Sequence, residues 1–422
     1  MSTPSEASDQ ILFLAPEFPY PLTGGGPMRS SSLLQLLTRN YDLHLVTFRE
    51  KETPHPQTFL PSGLVNFLTV VDLPYHGRDF WSRSYRNGVR LVKGTLPLTD
   101  RFSNVQTRNT VLNAVEGRHY KLAVIEHFWC APHLQILRGH ADHVILDLHN
   151  IESVLHERCA RVESWPLNIV HNRFARLARK MERQWIPQFD LVLVSSETDR
   201  QRLMDHVPGV PVVVYPNSIP WTRQPLVEEE NVIAFSGNWE YHPNLSAVKF
   251  FYSKVWPLVQ KVHPQLRWRL IGKNAQRLRH VVSGDTKIEL AGAVADPVTE
   301  LAKARLVIVP LLSGSGTRVK ILEAWAAGRA VVSTTIGAEG LPATTGKNIC
   351  LADGHLFFAK AILELLDNKE EREHLGREGR LTYEREGNWL AAWRSTEKWL
   401  GDFASGGKIG SESSSRMISL IN

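Results

Sequence analysis

The sequence predicts an α/β protein made of two doubly wound, parallel-sheet domains that face each other across a cleft. Three observations carry this reading. Short apolar runs of Val, Leu and Ile recur along the chain, each followed by a turn and then by a segment with helical spacing. The alternation breaks once, at "PWTRQPLVEEE" (220–230), where proline and charge replace it, and restarts with "NVIAFSG". The length of 422 residues, 43% of them hydrophobic, is sufficient for two cores.

Each element follows in order. "ILFLAP" (11–16) is the first strand, and the glycine-rich "LTGGGPMRSSSLLQLL" opens its helix. Strands are expected next at "YDLHLVTF", "LAVIEHF", "HVILDLHN" and "LVLVSSE", and within "VPVVVYPNSI" (210–219). Continuous apolar runs of this kind suit parallel strands covered by helices on both faces. The second series runs "VIAFSG", "LRWRLIGK", "IELAGAV", "LVIVPLL", "AVVSTT" and "NICLA", separated by helices such as "NLSAVKFFYSKVWPLVQKV". From about residue 356 the chain reads as helical. "GNWLAAWRSTEKWLGDF" (387–403) is amphipathic, with Trp389, Trp393 and Leu400 at helical spacing. The expected organisation is a Rossmann-like amino-terminal domain (1–220), a Rossmann-like carboxy-terminal domain (221–385), a crossover helix (386–404) and a disordered tail (405–422) poor in apolar residues. Ligands bind outside the carboxyl ends of such strands, so the cleft is the expected site.

Composition narrows the function classes. The formal charge of +6 comes from scattered arginines, without the Lys/Arg blocks or aromatic-interleaved patches of nucleic-acid binders. It favours anionic ligands or anionic lipid surfaces. Cys130, Cys159 and Cys350 lie far apart with no CxxC spacing, which points away from a disulfide framework or a structural zinc and towards a reducing cytoplasm. The polar, acidic "MSTPSEASDQ" is unlike a signal peptide, and no apolar run reaches about 18 residues. Contact with a membrane is therefore expected only from its surface, on the cytoplasmic side.

The most informative stretch is "SGSGTRVKILEAWAAGRAVVS" (313–333). The strand "LVIVPLL" runs into Ser313-Gly314-Ser315-Gly316-Thr317, and a helix is expected to begin near Thr317. Its free N–H groups and dipole make an anion site, to which Arg318 and Lys320 add full charge. Lys320 and Glu323, three apart, share a face, so the ammonium can meet a phosphate while the carboxylate accepts two sugar hydroxyls. The same residues also describe a capped helix with solvated cations.

"GSGTRVKILEAWAAGRAVVSTTIGAEGL" resembles the donor motif of the retaining GT-B glycosyltransferases of the large family usually numbered four. "LFLAPEFPYPLTGGGPMRSSSLLQLL", "DLHNIES" and "LVLVSSETDRQRL" resemble its amino-domain segments, and "FSGNWEYHPNLSAVKFF" the opening of the donor domain in a bacterial polysaccharide-type branch. Residues 1–220 would then be the acceptor domain and 221–385 the donor domain. The chain departs from the pattern twice. Ser315 stands where many members carry a Glu, seven residues before the second Glu. Asn238, Trp239, Glu240, Tyr241 and His242 stand where many carry an Arg and a Lys. Arg318 and Lys320 are inferred to have taken over the diphosphate charge.

The resemblance implies further roles. Gly24, Gly25 and Gly26 lie against the donor phosphates, with Arg29 one helical turn in, facing the acceptor. His127, just past a strand end, reaches the donor sugar. Gly237, Asn238, Lys273, Val294, Ser315, Gly316, Thr317 and Glu323 bind the donor, with Arg318, Lys320 and His127 catalytic. His149 is a further acceptor-side candidate; beside it, Asn150 and Glu152 also read as helix caps, and Asp296 before Pro297 reads as another. The basic helix within 160–189 reads as a solvated face with Phe174, Leu177, Met181 and Trp185 turned inward, or as a lipid-surface helix. "RDFWSRSYRNGVRLVKG" (78–94) is a candidate acceptor wall.

The implied activity is transfer of a sugar, with retention, from a nucleotide-diphosphate donor to the hydroxyl of a small molecule, glycan or lipid-linked sugar. No cofactor or metal is expected, and no nucleic-acid partner. A non-catalytic nucleotide-sugar-binding subunit, an epimerase or a phosphorylase on the same scaffold are the alternatives, the first favoured by Ser315.

Overall fold

A computed structural model describes residues 10–74, 76–77, 79–282, 284–314 and 318–404. Among the described residues, thirteen strands form two sheets. The first contains β1 (Gln10–Ala15), β2 (Asp42–Glu50), β3 (Phe67–Leu73), β4 (Tyr120–Glu126), β5 (Ala141–Asp147), β6 (Leu191–Val194) and β7 (Val212–Val214), in the order β3-β2-β1-β4-β5-β6-β7. The second contains β8 (Val232–Ser236), β9 (Arg267–Ile271), β10 (Ile288–Gly292), β11 (Leu306–Val309), β12 (Val331–Ser333) and β13 (Cys350–Leu351), in the order β10-β9-β8-β11-β12-β13. Every pairing within both sheets is parallel.

Each strand expected from an apolar run is present. The strand that the apolar pattern does not announce is β3, "FLTVVDL", which pairs with β2 from His44↔Phe67 to Glu50↔Leu73. As an edge strand it is only half buried, and Phe67 is exposed, so it lacks the continuous apolar run of its neighbours.

Side-chain alternation along β1 builds two layers. Leu12 and Leu14 enter one core, with Val111, Phe174 and Ile186, while Ile11, Phe13 and Ala15 enter the other, with Leu33, Leu37 and Tyr215. That second layer is closed by the helix Trp389–Ala404, which returns from the carboxy-terminal half and buries Trp389, Trp393 and Leu400 there. Trp393 Nε1 donates to Ser32 O at 3.1 Å, and Trp389 Nε1 to Ser218 O at 3.2 Å, so both indoles bury their polar edge satisfied. The carboxy-terminal core holds Trp239, Trp256, Trp268 and Trp325 fully buried, and Met28 from the amino-terminal half joins it. The helix Leu167–Trp185 turns Phe174 into the core with Leu177, Met181 and Trp185 packed against it, which is the solvated-face arrangement for its arginines.

Candidate active site

In both sheets the strand order reverses between two neighbours, β1 and β4 in the first and β8 and β11 in the second. The loops leaving these strands diverge and open a crevice at the carboxyl ends. The loop after β1 carries Glu17 and Gly24–Gly26, His127 follows β4, Gly237 follows β8, and Arg318, Lys320 and Glu323 follow β11. The two crevices meet: a Cβ at Gly25 would lie 3.4 Å from Val319, Lys273 Nζ donates to Thr23 Oγ1 at 2.6 Å, and Arg158 donates to Gly314 O at 2.7 Å.

On the carboxy-terminal side, the helix Val319–Ala326 has Arg318 at its N-cap position and begins two residues after Thr317, where the sequence suggests its start. Ser315, Gly316 and Thr317, three of the expected donor contacts, lie outside the described residues. Arg318 is buried beside Gly314, where an added Cβ would meet its guanidinium at 2.6 Å. Burial first, and then Arg158, oppose its charge, while Tyr241 and Glu339 favour it; the balance lowers its pKa. Lys320 Nζ donates to Asn244 Oδ1 at 2.7 Å and sits 4.6 Å above the Phe235 ring. Burial, with Arg318 adding repulsion, pulls Lys320 down to about 7. A Cβ on Gly237 would lie 3.2 Å from that ammonium and 2.7 Å from Asn244, so the glycine keeps the space above Lys320 open. Glu323, on the same helix face, accepts from Ser236 at 3.3 Å, and burial pushes it up to about 7 against the pull of Lys320. Asn238 is exposed and its carboxamide braces its own loop, receiving Glu240 N and Asn274 at 3.1 Å each. Val294 is half-buried against the carboxy-terminal core. Asp296 caps the helix Pro297–Ala302 through Val298 N and Thr299 N, as its sequence suggests.

On the amino-terminal side, Gly24, with φ of +110°, leads into the helix Gly25–Leu37, whose first turn faces the helix of Lys320. His127 has φ of +60°, a conformation rare for a residue with a side chain. Its buried ring stacks on Trp129 at 4.2 Å and lies 3.7 Å from the His149 ring. Burial and the neighbouring His149 hold His127 neutral, well below its ordinary value. His149 is buried, with Nε2 3.4 Å from both Glu126 and Asp147. Burial disfavours its charge, but the hydrogen bonds and charges of the two carboxylates outweigh this and raise it to about 9.

Three expectations change here. Arg29 does not face an acceptor. It is 1% exposed, gripped bidentately by Asp147 at 2.9 and 2.5 Å, and it donates to Tyr215 O and Asn217 Oδ1. An Arg one turn beyond a glycine loop looks like an anion ligand, but its partner here is a carboxylate brought in by β5. His149 is likewise enclosed beneath the cleft floor. Glu152 is not a cap; it accepts from Trp129 Nε1 at 3.0 Å, and burial and Glu182 raise it to about 8. Glu126, Asp147 and His149 are the group among the described residues with metal-ligand spacing. Arg29 and His149 already balance its two carboxylates, and Ser30 donates to Glu126 at 2.7 Å, so its charge is neutralised from within.

Glu17 was not singled out by its sequence. It opens to the cleft between Gly26, His149 and Lys273, with its carboxylate 3.1 Å from where a Gly26 Cβ would sit. The protein crowded around it raises its pKa, partly offset by His149 and Lys273. The available signal was a carboxylate two residues past a strand at the point where the strand order reverses.

Comparison places this geometry. The fold matches, over nearly the whole chain, sucrose-phosphate synthase from Thermosynechococcus elongatus (TM-score 0.71, 14% identity, 94% of this chain and 100% of that one). It also matches Anabaena Alr3699/HepE in complex with UDP-glucose (TM-score 0.64, 12% identity, 93% and 99%) and Staphylococcus aureus TarM in complex with fondaparinux, α-GlcNAc-glycerol and UDP (TM-score 0.64, 12% identity, 93% and 99%). The chain thus has the two-domain GT-B architecture. Residues 230–368 match the family described as "Glycosyl transferases group 1". It is 26% identical over 377 residues, 85% of this chain and 91% of the other, to an uncharacterized 44.6 kDa protein in the cps region of Klebsiella pneumoniae.

Proposed function

We propose that this protein is a glycosyltransferase that moves a sugar from a nucleoside-diphosphate donor to an acceptor hydroxyl with retention of configuration and without a metal. The observation that carries the reading is the pair of buried Arg318 and half-buried Lys320, both held down in pKa at the start of the helix whose Val319 faces Gly25 of the glycine loop. A cation pair of this kind gains most from an anion seated beside it and the free N–H groups of the first helix. Glu323, three residues from Lys320, suits the donor ribose, and His127, neutral and rigidly stacked, suits the sugar.

In this mechanism the bond from the anomeric carbon to the diphosphate breaks as the bond to the acceptor oxygen forms on the same face. The acceptor proton passes to the departing diphosphate oxygen. Arg318, Lys320 and the glycine-loop amides stabilise the charge that develops there. Glu17 faces the same space and is placed to accept a hydrogen bond from the acceptor hydroxyl. The placement of the protein on the cytoplasmic face of a membrane, with a glycan or lipid-linked acceptor, is part of the same proposal; no described helix is long and apolar enough to cross a bilayer.

The test is thermal stability against a panel of nucleoside diphosphates and their sugars, followed by transfer assays with and without EDTA. A shift with one nucleotide class, and transfer that survives chelation, are expected. A shift without hydrolysis or transfer would favour the non-catalytic subunit that Ser315 suggests, and no shift with any nucleotide would remove the reading.

A further inference from the structure

Lys320 is held by a residue that no step of the proposed reaction uses. Its half-buried ammonium lies over the Phe235 ring of β8, and the side chain of Asn244 accepts a hydrogen bond from it at 2.7 Å. Asn244 belongs to the helix His242–Phe250, which follows β8, whereas Lys320 belongs to the helix after β11. The contact therefore spans the point where the strand order of the second sheet reverses.

The Asn244 amide is oriented from both ends. It is buried, its Nδ2 donates to Asn238 O at 2.9 Å, and its Oδ1 accepts from Lys320. Turning it over would set oxygen against a carbonyl oxygen and an NH2 against an ammonium. Its own helix does not use the side chain: the N-cap position is Tyr241, and both amide bonds leave the helix. Asparagine is a mediocre helix former, so helix propensity does not explain it either. Gly237 completes the seat, since a Cβ there would lie 2.7 Å from Asn244 Nδ2 and 3.2 Å from Lys320 Nζ.

An amide here differs from a carboxylate in what it leaves the ammonium free to do. An aspartate of the same shape would form an ion pair with Lys320 and neutralise it before any ligand arrived. Asparagine supplies direction without an opposing full charge. Of the ionisable neighbours, Arg318 opposes the ammonium and Glu323, one turn along the same helix, favours it. β8 presents Phe235 and Ser236, neither of which carries charge. Because burial has already pulled Lys320 down to about 7, its charge near neutral pH is sensitive to what Asn244 offers.

We propose that Asn244 is the positioning residue of Lys320: it holds the ammonium at the open space beside Gly237 and, being uncharged, leaves that positive charge for an anionic ligand. This deepens the transferase reading and rests on it for the ligand, the departing diphosphate. The test begins without donor, so that the two ideas fail separately.

The experiment is competitive acetylation of the full chain by acetic anhydride, from about pH 6 to about pH 10, which spans the shifted and the ordinary lysine range. Modification of Lys320 is read by mass spectrometry in wild type, N244D and N244L. Both substitutions remove the bond to Asn238 O, so whatever that costs the fold is common to the two. Their effects on the ammonium are opposite in sign. In N244D the carboxylate should raise the midpoint of Lys320 reactivity by at least about one pH unit, and in N244L the lost acceptor should lower it. Nucleoside-diphosphate affinity, measured by calorimetry at about pH 6.5, should fall at least about tenfold in N244D, where the carboxylate opposes the incoming phosphates. Midpoints that stay at the wild-type value, or that move together in the two variants, overturn the proposal. So does N244D binding a nucleoside diphosphate as tightly as a wild type that binds it. Midpoints that part as expected, in a wild type that binds no nucleotide, sustain the positioning role and remove the transferase reading instead.

Discussion

The two sides of the cleft hold similar numbers of buried ionisable groups in opposite electrostatic states. Beneath the amino-terminal floor, Asp147 and Glu126 face Arg29 and His149 in opposite-charge pairs, although burial still raises Glu126. Burial alone would raise Asp147, yet Arg29 and His149 hold it well below the usual carboxylate range. On the carboxy-terminal side Arg318 and Lys320 are both lowered, and the nearby carboxylate Glu323 is raised. The first set is paired within the protein, whereas on the proposed reading the second is completed by an arriving anion. The contrast lies between Asp147 and His149, which their partners draw towards the charged form, and Arg318 and Lys320, which burial draws away from it.

The comparison can be broken most directly at Asp147. Asp147→Ala leaves the Arg29 guanidinium buried without its carboxylate and should destabilise the fold by about 3–5 kcal/mol, read as a large drop in denaturation midpoint. A near-native midpoint would show that the first set is no brace. On the other side, if the proposed role of Lys320 at the leaving group holds, Lys320→Ala should cost transfer about 10²–10³-fold with little loss of stability. Wild-type turnover in that variant would sink the assignment.

Two pH experiments sharpen the contrast. His149 has its folded pKa raised to about 9 from 6.5, so its contribution is fully present below pH 6.5 and is lost as pH rises through 9. Wild type should lose about 3 kcal/mol more than His149→Gln across that window. Equal slopes in the two proteins would contradict the raised value. Lys320 titrates near 7 when the site is empty, and a bound diphosphate must raise it. Nucleotide affinity should therefore weaken above pH 7, by up to about tenfold per pH unit, and Lys320→Arg should flatten that limb. A flat wild-type profile would place the anion elsewhere.

Much of the architecture was legible because parallel strands buried on both faces must be continuously apolar; β3 escaped because an edge strand need not be. The carboxy-terminal part of the site was legible because Arg318, Lys320 and Glu323 lie within six residues and helical spacing relates them. The amino-terminal part was not. Arg29 meets Asp147, and Glu17 meets Lys273, only after β5 and β9 have crossed the fold, and no local pattern encodes those encounters. Arg158 and Arg202 escaped for the same reason. They join Glu339 of the opposite half at 2.6 Å each, and that carboxylate, raised by burial, is drawn down to about 2 by the two cations.

The chain passes between the halves twice, and the two passages touch. Ile219 on the outward strand bridges Asn388 on the return, Ile219 N donating to Gly387 O at 3.1 Å and Trp389 N to Ile219 O at 3.0 Å. A single tether would let one half swivel freely about the other. Two tethers laced side by side leave a folding axis and resist torsion about the line joining the halves. Any movement of one half against the other is thereby channelled about that axis, which keeps the rim carrying Val319 in register with the rim carrying Gly25.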